Sequence, residues 1–188
     1  MKMEVLEKKL ASRLKSGRYT HCIGVRDCAV RLAERFSVDP HKAALAGLLH
    51  DCAREVPVEN MLAAAREMRI AIDPVEEQVP LLLHAVIGAR MLPAVYGIDD
   101  AEVQQAVSRH TVGGKDMTPL DKIIYLADMI EPNRMYPGVE ELRQMAFSAK
   151  LDEVMLAAFD QSILFILKKS SLLHPDTIAA RNEILCKE

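Results

Sequence analysis

The sequence predicts an all-α protein, and three observations lead to that fold class. Leucine, alanine, methionine, glutamate, lysine and arginine dominate long windows in which apolar residues recur with the period of a helix. Valine, isoleucine and threonine do not form the alternating runs that are typical of strands. Proline and short polar residues stand at the starts of several windows, where they favour the first turn of a helix.

Start signals place the predicted helices in order along the chain. Asp39 is a candidate N-cap followed by Pro40, and Pro57 repeats the device at the next helix. Further starts lie in IDPVEEQ, IDDAEVQQAVSRH, TPLDKIIYLADMIE and HPDTIAARNEIL. The turns HTVGGKDMTP and EPNRMYPGVEE each separate two helices. Without repeats or long linkers we expect one domain over residues 1–188, with a core at roughly 18–135 and C-terminal helices over 138–188.

Composition and charge exclude several function classes. The 188 residues carry a formal net charge of -3, so no nucleic-acid partner is expected, because phosphate-backbone binding needs a basic surface. The four cysteines show no disulfide-like spacing, which indicates reduced thiols and a cytoplasmic protein. No signal peptide or membrane span is visible, so no membrane partner is expected. The apolar residues of LDEVMLAAFDQSILFILKK either pack within the domain or support a homodimer.

Polar residues interrupt several apolar helix stripes, and these residues are His21, His50, Asp51, His84, His110 and Asp128. His41, by contrast, has polar neighbours and is expected at the surface. A lone buried carboxylate costs several kcal/mol unless it is paired or binds a cation. A single buried histidine is more often a hydrogen-bonded core residue than a ligand. Four histidines and two aspartates on separate stripes, however, predict one internal metal site.

The adjacent pair His50 and Asp51 fits such a site. Neighbouring residues on a helix point about 100° apart, so both side chains reach a metal only if the site lies in the angle between them. One residue then coordinates from one side, while the other binds the same ion, or a second ion, from the opposite side. If two ions are present, Asp51 is the natural bridging carboxylate.

The residues spell the pattern H…HD…D, which resembles the HD-domain metal-dependent phosphohydrolases. The segments LLHDCARE, LLHAVIGA and RHTVGGKDMTPLDKIIYLADMIEPNR resemble more closely the bacterial YqeK family, from about Arg18 to the helix after Pro175. This resemblance implies a single-domain HD-type helical bundle with a metal site in its core and C-terminal helices that close a nucleotide pocket. It implies hydrolysis of diadenosine tetraphosphate to two ADP. It also implies iron as one or two ions, with manganese or another divalent ion as the alternative.

The resemblance further implies the roles of individual residues. The expected metal ligands are His21, His50, Asp51 and Asp128. Either a second metal or the phosphates of the substrate is expected at His84 and His110. The residues expected to contact the nucleotide are Arg18, Arg134, Ser171, His174 and Asp176. From the residues themselves, apart from the resemblance, we expect Asp51, His84, His110 and Lys115 to take part in catalysis.

Lys115 is chosen for its place in the chain. It follows Gly113 and Gly114, five residues after His110, where a tight turn can bring its ammonium and the loop N–H groups onto phosphate. A phosphoanhydride resists attack because its negative oxygens repel a nucleophile, so a catalyst must supply activated water and positive charge. A mixed His/Asp metal site supplies both, and attack by metal-activated water on a β-phosphorus releases ADP.

Three alternatives stay open at this point. A nucleotidase or nucleoside-triphosphate hydrolase would use the same ligands, since the metal site alone does not select the leaving group. A regulatory protein would bind a nucleotide at the site without turning it over. A purely structural helical bundle would bind no stoichiometric metal. Product analysis separates the enzymes, and metal analysis separates them all from the structural bundle.

Overall fold

The computed structural model describes residues 2–186, and within that range every regular element is helical. The α-helices of this range are α1 Met3–Ala11, α2 Ser16–Arg35, α3 Pro40–Leu49, α4 Val58–Glu67, α5 Pro74–Gln78, α6 His84–Met91, α7 Ala101–Arg109, α8 Pro119–Ile130, α9 Val139–Ser148, α10 Leu151–Lys168 and α11 Pro175–Leu185. Short 3₁₀ helices at Cys52–Glu55 and Pro80–Leu83 and a π-helical turn at Leu92–Tyr96 complete them. The predicted all-α fold is confirmed.

Side-chain caps begin several helices where the sequence predicts them. The Asp39 carboxylate accepts hydrogen bonds from first-turn N–H groups of α3, and Thr118 and Asp121 cap α8 reciprocally. The caps of α5, α7 and α11 are Asp73, Asp100 and His174. Pro57 departs from the prediction. It lies one residue before α4 and makes no capping hydrogen bond, because its ring carries no acceptor.

The helices α2, α3, α7 and α8 form the centre of the bundle. Helix α2 packs along α3 and against α8, and α7 packs against α3, α6 and α8. Gly47 allows α2 and α3 to approach closely, because a Cβ atom there would lie 2.9 Å from the Cα atom of Arg26. This close approach places His21, in the first half of α2, beside His50 at the end of α3.

The three C-terminal helices pack on this centre. Helix α10 contacts α8, α9 and α11, and its Phe159 is fully buried against the loop that follows α7. In that loop Gly113 has φ of +76°, a conformation that favours glycine. Thr177, in the first turn of α11, donates a hydrogen bond to the Val112 carbonyl at 2.9 Å. Closure of a nucleotide pocket by these helices stays a prediction, and residues 187 and 188 of the expected range lie outside the described residues.

Two further expectations concern the surface. Along residues 2–186 the structure contains no helix with the length and apolar composition needed to cross a bilayer. Near its end α10 leaves Leu164, Phe165 and Leu167 more than half exposed. Part of the apolar segment that the sequence singled out therefore does not pack within the domain. That it supports a homodimer stays a prediction.

Candidate metal centre

Three histidines share one arrangement at the ends of helical segments. Each follows the last residue of its segment or begins the next one, and each turns its Nδ1 atom back to the carbonyl three residues earlier. The helix end leaves carbonyls without intrahelical partners, so an imidazole N–H can donate to them. The three Nδ1–oxygen distances are 2.8 Å from His50 to Gly47, 2.6 Å from His84 to Leu81 and 2.7 Å from His110 to Val107. Because a carbonyl only accepts, Nδ1 carries the proton and Nε2 presents a lone pair.

His21 is oriented by a carboxylate instead. It lies within α2, and its Nδ1 does not pair with a backbone carbonyl but lies 3.1 Å from Oε1 of Glu131. Glu131 directly follows α8 and is 1% exposed. A carboxylate that accepts from Nδ1 fixes the same tautomer in His21 as in the other three histidines.

The four Nε2 atoms converge in the bundle core. His21 and His50 approach to 3.2 Å between Nε2 atoms, and His84 and His110 approach to 3.0 Å. All four histidines are buried. Since each Nδ1 already carries the proton, lone pairs face each other across these short distances, which is unfavourable unless a proton or a cation lies between them.

Asp51 connects the two histidine pairs. Its Oδ2 atom lies 3.4 Å from Nε2 of His50 and 3.8 Å from Nε2 of His21. Its Oδ1 atom lies 3.1 Å from Nε2 of His84 and 3.8 Å from Nε2 of His110. The residue follows α3 and is 3% exposed, so its carboxylate spans the core between the pairs.

Asp128 adds a second carboxylate to one pair. Its Oδ1 lies 2.9 Å from Nε2 of His21 and 3.8 Å from Nε2 of His50. The centre therefore has two halves. We call His21, His50, Asp128 and Oδ2 of Asp51 the His21 half, and His84, His110 and Oδ1 of Asp51 the His84 half. Three overlapping groups of three residues could each hold an ion, because the ligand atoms within each group lie within 4.8 Å of one another. The groups are His21, His50 and Asp51; His50, His110 and Asp128; and Asp51, His84 and His110.

Electrostatics keep both carboxylates ionised despite their burial. In the absence of a cation, protons on Nε2 atoms take its place. Burial alone raises the pKa of Asp51, but the positive charge of His50 and hydrogen bonds from His50 and His84 hold it well below its usual range. Burial likewise opposes ionisation of Asp128, but a hydrogen bond from Nε2–H of His21 and the charges of His50 and Arg134 hold its pKa well below the usual range. Burial and the positive charges of His50 and His84 lower the pKa of His110 to about 3, so this imidazole is neutral and can act as a ligand.

The donor set fits a divalent transition-metal ion. Imidazole nitrogens together with carboxylate oxygens suit ions such as iron, manganese or zinc, whereas magnesium and calcium prefer oxygen alone. Each of the four histidines of the centre has its Nδ1 hydrogen-bonded, as ligating histidines almost always do. A cation at the centre would accept the convergent lone pairs and would neutralise the charge of the two carboxylates.

Two arginines flank the carboxylates at the partly exposed side of the centre. Arg18 donates from NH1 to Oδ2 of Asp51 at 2.7 Å, and Arg134 donates from Nε to the Asp128 carbonyl at 2.7 Å and from NH2 to its Oδ1. Both guanidinium groups remain about one third exposed. The structure thus brings together all six predicted metal-site residues and both predicted arginines.

The other predicted site residues lie elsewhere in the described range or have no polar contact with the centre. Lys115 is exposed, and the next residue, Asp116, donates from its N–H to Glu183 and accepts at its carbonyl from Arg109. His174 is 6% exposed and caps α11, with Nδ1 accepting from the N–H of Asp176. Ser171 and Asp176 are exposed. The roles of these four residues stay predictions.

Two residues at the centre were missed by the sequence reasoning. Glu131 stands in the quoted segment EPNR, and its signal is a carboxylate at a helix C-terminus, where the helix dipole disfavours negative charge. Thr111 places Oγ1 3.1 Å from Nε2 of His110 and 3.3 Å from Nε2 of His84. Its hydroxyl faces the same space as the ligands, and nothing in the sequence alone distinguishes it from a turn residue.

The chain is similar to several known proteins over most of its length. Residues 18–133 match the family model described as HD domain. A protein of Bacillus subtilis named symmetrical bis(5'-nucleosyl)-tetraphosphatase is 36% identical over 170 residues, which are 90% of this chain and 90% of that protein. A Halalkalibacterium halodurans protein with the same name is 39% identical over 171 residues, 91% of this chain and 90% of that protein.

A solved structure is similar over the whole chain. It is a crystal structure of a predicted HD superfamily hydrolase involved in NAD metabolism from Clostridium acetobutylicum, 38% identical to this chain. The two superimpose with a TM-score of 0.95, covering 100% of this chain and 99% of that one.

Proposed function

This chain belongs to the HD domain family, and we propose on that premise that it hydrolyses diadenosine tetraphosphate symmetrically to two ADP. The names of the Bacillus and Halalkalibacterium relatives support the substrate and the reaction. The observation that carries the proposal is the convergence of four Nε2 atoms and two carboxylates at one buried centre, with two guanidinium groups beside it.

The residues of the centre would have different roles in the reaction. His21, His50, Asp51 and Asp128 would hold a divalent ion, and His84 and His110 would hold either a second ion or phosphate oxygens. A divalent ion bound there would lower the pKa of water towards roughly 7 and supply positive charge at the reacting phosphate. The carboxylate of Asp51 contacts both halves and holds the two histidine pairs in position relative to each other.

The arginines are suited to the phosphate chain of the substrate. Planar guanidinium groups match phosphate oxygens with paired N–H donors, and Arg18 and Arg134 keep part of their donor surface open to solvent. Attack of water on one β-phosphorus breaks the central anhydride bond and releases two ADP molecules. Contacts of Ser171, His174 and Asp176 with the nucleotide belong to the same proposal.

We propose iron as one or two ions, with manganese as the substitute, because the donor set suits borderline divalent ions. We also propose a cytoplasmic location. All four cysteines are free thiols, and Cys22, Cys28 and Cys52 are buried, which agrees with a reducing compartment.

An anaerobic assay tests the function directly. Purified protein loaded with Fe²⁺ or Mn²⁺ is incubated with diadenosine tetraphosphate, and the products are separated by chromatography. We expect ADP as the sole product. ATP together with AMP would indicate asymmetric cleavage, and tight ADP binding without turnover would indicate a regulatory protein. Both outcomes would contradict the proposal.

Replacement of Arg134 by alanine is expected to raise KM roughly ten-fold and to lower kcat/KM roughly 10²-fold, because a charge-assisted phosphate contact is lost. Arg134→Lys keeps the charge without the planar fork and should fall between alanine and wild type. Steady-state kinetics on diadenosine tetraphosphate measure both constants.

Two further variants complete this comparison. Arg66→Ala removes an exposed arginine of α4 and should leave both constants unchanged. An equal loss in Arg66→Ala and Arg134→Ala would refute the phosphate contact. Lys115→Ala tests the predicted role of that ammonium, which requires a loss of kcat/KM similar to that of Arg134→Ala.

A further inference from the structure

The two halves of the centre differ in what orients their histidines. In the His84 half both Nδ1 atoms donate to neutral backbone carbonyls, of Leu81 and Val107. In the His21 half one Nδ1 donates to the carboxylate of Glu131. A carboxylate partner polarises an imidazole more strongly than a carbonyl does and makes its Nε2 a better donor to a cation.

Glu131 is itself held in place on its other oxygen. Its Oε2 accepts from the backbone N–H of Asn133 at 2.8 Å and from the Asn133 side-chain amide at 2.9 Å. The residue is 1% exposed, and each carboxylate oxygen has a donor. Burial of a carboxylate at a helix C-terminus is costly, so these donors are needed to keep it there.

Gly24 provides the space for this carboxylate. A Cβ atom at Gly24 would lie 2.4 Å from Oε2 of Glu131 and 3.4 Å from the amide nitrogen of Asn133. Gly24 lies on α2 one turn after His21, so the same helix presents the imidazole and leaves room for its partner. Any larger residue at position 24 has to displace Glu131.

Arg143 fixes the backbone that carries Glu131. From α9 its guanidinium donates to the carbonyls of Ile130 at 2.9 Å, Glu131 at 2.7 Å and Arg134 at 2.9 Å. These are carbonyls that the end of α8 and the following loop leave without helical partners. The segment that carries Glu131 and Arg134 is therefore held by three charge-assisted hydrogen bonds from one side chain.

We propose that Glu131 is a positioning residue that fixes and polarises His21 and thereby makes the His21 half the higher-affinity half of the metal centre. Gly24 and Arg143 act through Glu131, the first by leaving space and the second by holding the backbone. The inference rests on the proposed metal dependence of the protein. It adds a residue that touches neither metal nor substrate but sets the affinity of the centre.

Binding of Co²⁺, followed by its visible absorption in competition with a chelator, tests the proposal without any turnover. Glu131→Gln is expected to weaken binding of the first Co²⁺ equivalent roughly 10–100-fold and to change its absorption spectrum. Gly24→Ala should reproduce both effects without altering the charge. His84→Ala removes a ligand of the other half and should leave the first equivalent within about three-fold of wild type.

Two matched controls accompany these variants. Glu141→Gln removes an exposed carboxylate of α9, and Gly17→Ala adds a Cβ atom on α2 at a position with nothing within 4 Å. Both should bind Co²⁺ as the wild type does. Circular dichroism of the metal-free variants establishes folding. If Glu131→Gln does not fold, Gly24→Ala decides the question.

Three outcomes would overturn the inference. Equal Co²⁺ affinity in Glu131→Gln and Glu141→Gln would show that Glu131 has no positioning role, and so would a Gly24→Ala variant indistinguishable from Gly17→Ala. If His84→Ala weakens binding of the first Co²⁺ equivalent as much as Glu131→Gln does, the two halves do not differ in affinity. A wild-type protein that binds Co²⁺ tightly but cleaves no diadenosine tetraphosphate refutes the proposed function and leaves this inference standing.

Discussion

Replacing Asp51 by asparagine is expected to lower turnover of diadenosine tetraphosphate roughly 10³-fold, which is about 4 kcal/mol of transition-state stabilisation. Asp51 is the residue that faces all four histidines, with Oδ1 towards one pair and Oδ2 towards the other. Asparagine has nearly the same shape but carries no charge, and its amide group presents donors where the centre needs an acceptor. One half therefore loses its carboxylate ligand, and the other keeps only a neutral amide oxygen.

The loss is measured from kcat of protein loaded with Mn²⁺ or Fe²⁺. Asp27→Asn is a matched control, because its carboxylate is on α2, is 61% exposed and pairs with Arg26. It should retain full turnover, since an exposed ion pair contributes little. Turnover of Asp51→Asn within about ten-fold of wild type would exclude Asp51 from the reaction.

Removal of the metal is expected to abolish turnover and to lower the thermal unfolding temperature by about 5–11 °C. An ion at 100 times its dissociation constant stabilises the folded state by about 2.7 kcal/mol, and 1 kcal/mol corresponds to about 2–4 °C in a protein of this size. The physical reason is that the lone pairs of the Nε2 atoms, 3.0–3.2 Å apart within each pair, face each other without a cation.

Calorimetry of chelator-treated protein, before and after addition of Mn²⁺, measures this shift. Asp51→Asn serves as the comparison and should show a much smaller rise on addition of the ion, since it lacks the shared carboxylate. If Mn²⁺ raises the unfolding temperature of both proteins equally, the ion stabilises the protein by binding at a site other than this centre. An unchanged unfolding temperature in the wild type would contradict the metal centre altogether.

The sequence predicted the members of the centre because burial makes polar residues conspicuous. Asp128 stands in the apolar segment IIYLADMI, and the only low-cost reasons for a carboxylate there are a partner or a cation. The same argument selected His50, Asp51, His84 and His110, all of which the structure buries together. Their roles as ligands stay predictions until a metal is measured.

Residues outside that logic were harder to place. Glu131 lies where a helix ends, and its only signal in the sequence is a carboxylate at a position that the helix dipole disfavours; its contact with His21 is visible only in the structure. Lys115 was chosen for its neighbouring glycines; the structure leaves it exposed, with Gly113 at a positive φ against Phe159, and its role in catalysis stays a prediction. Local sequence does not tell which neighbour a tight turn will meet.

The sequence by itself determined the helices, most of their caps and the set of polar residues that require a compensating charge, because these depend on local periodicity and on the cost of burial. Tertiary structure alone decided that Asp51 turns one oxygen to each histidine pair and that Gly24 leaves room for Glu131 beside His21. Such pairings depend on distances between helices far apart in the chain. Those distances are set by close packing of whole side chains, which no short segment encodes.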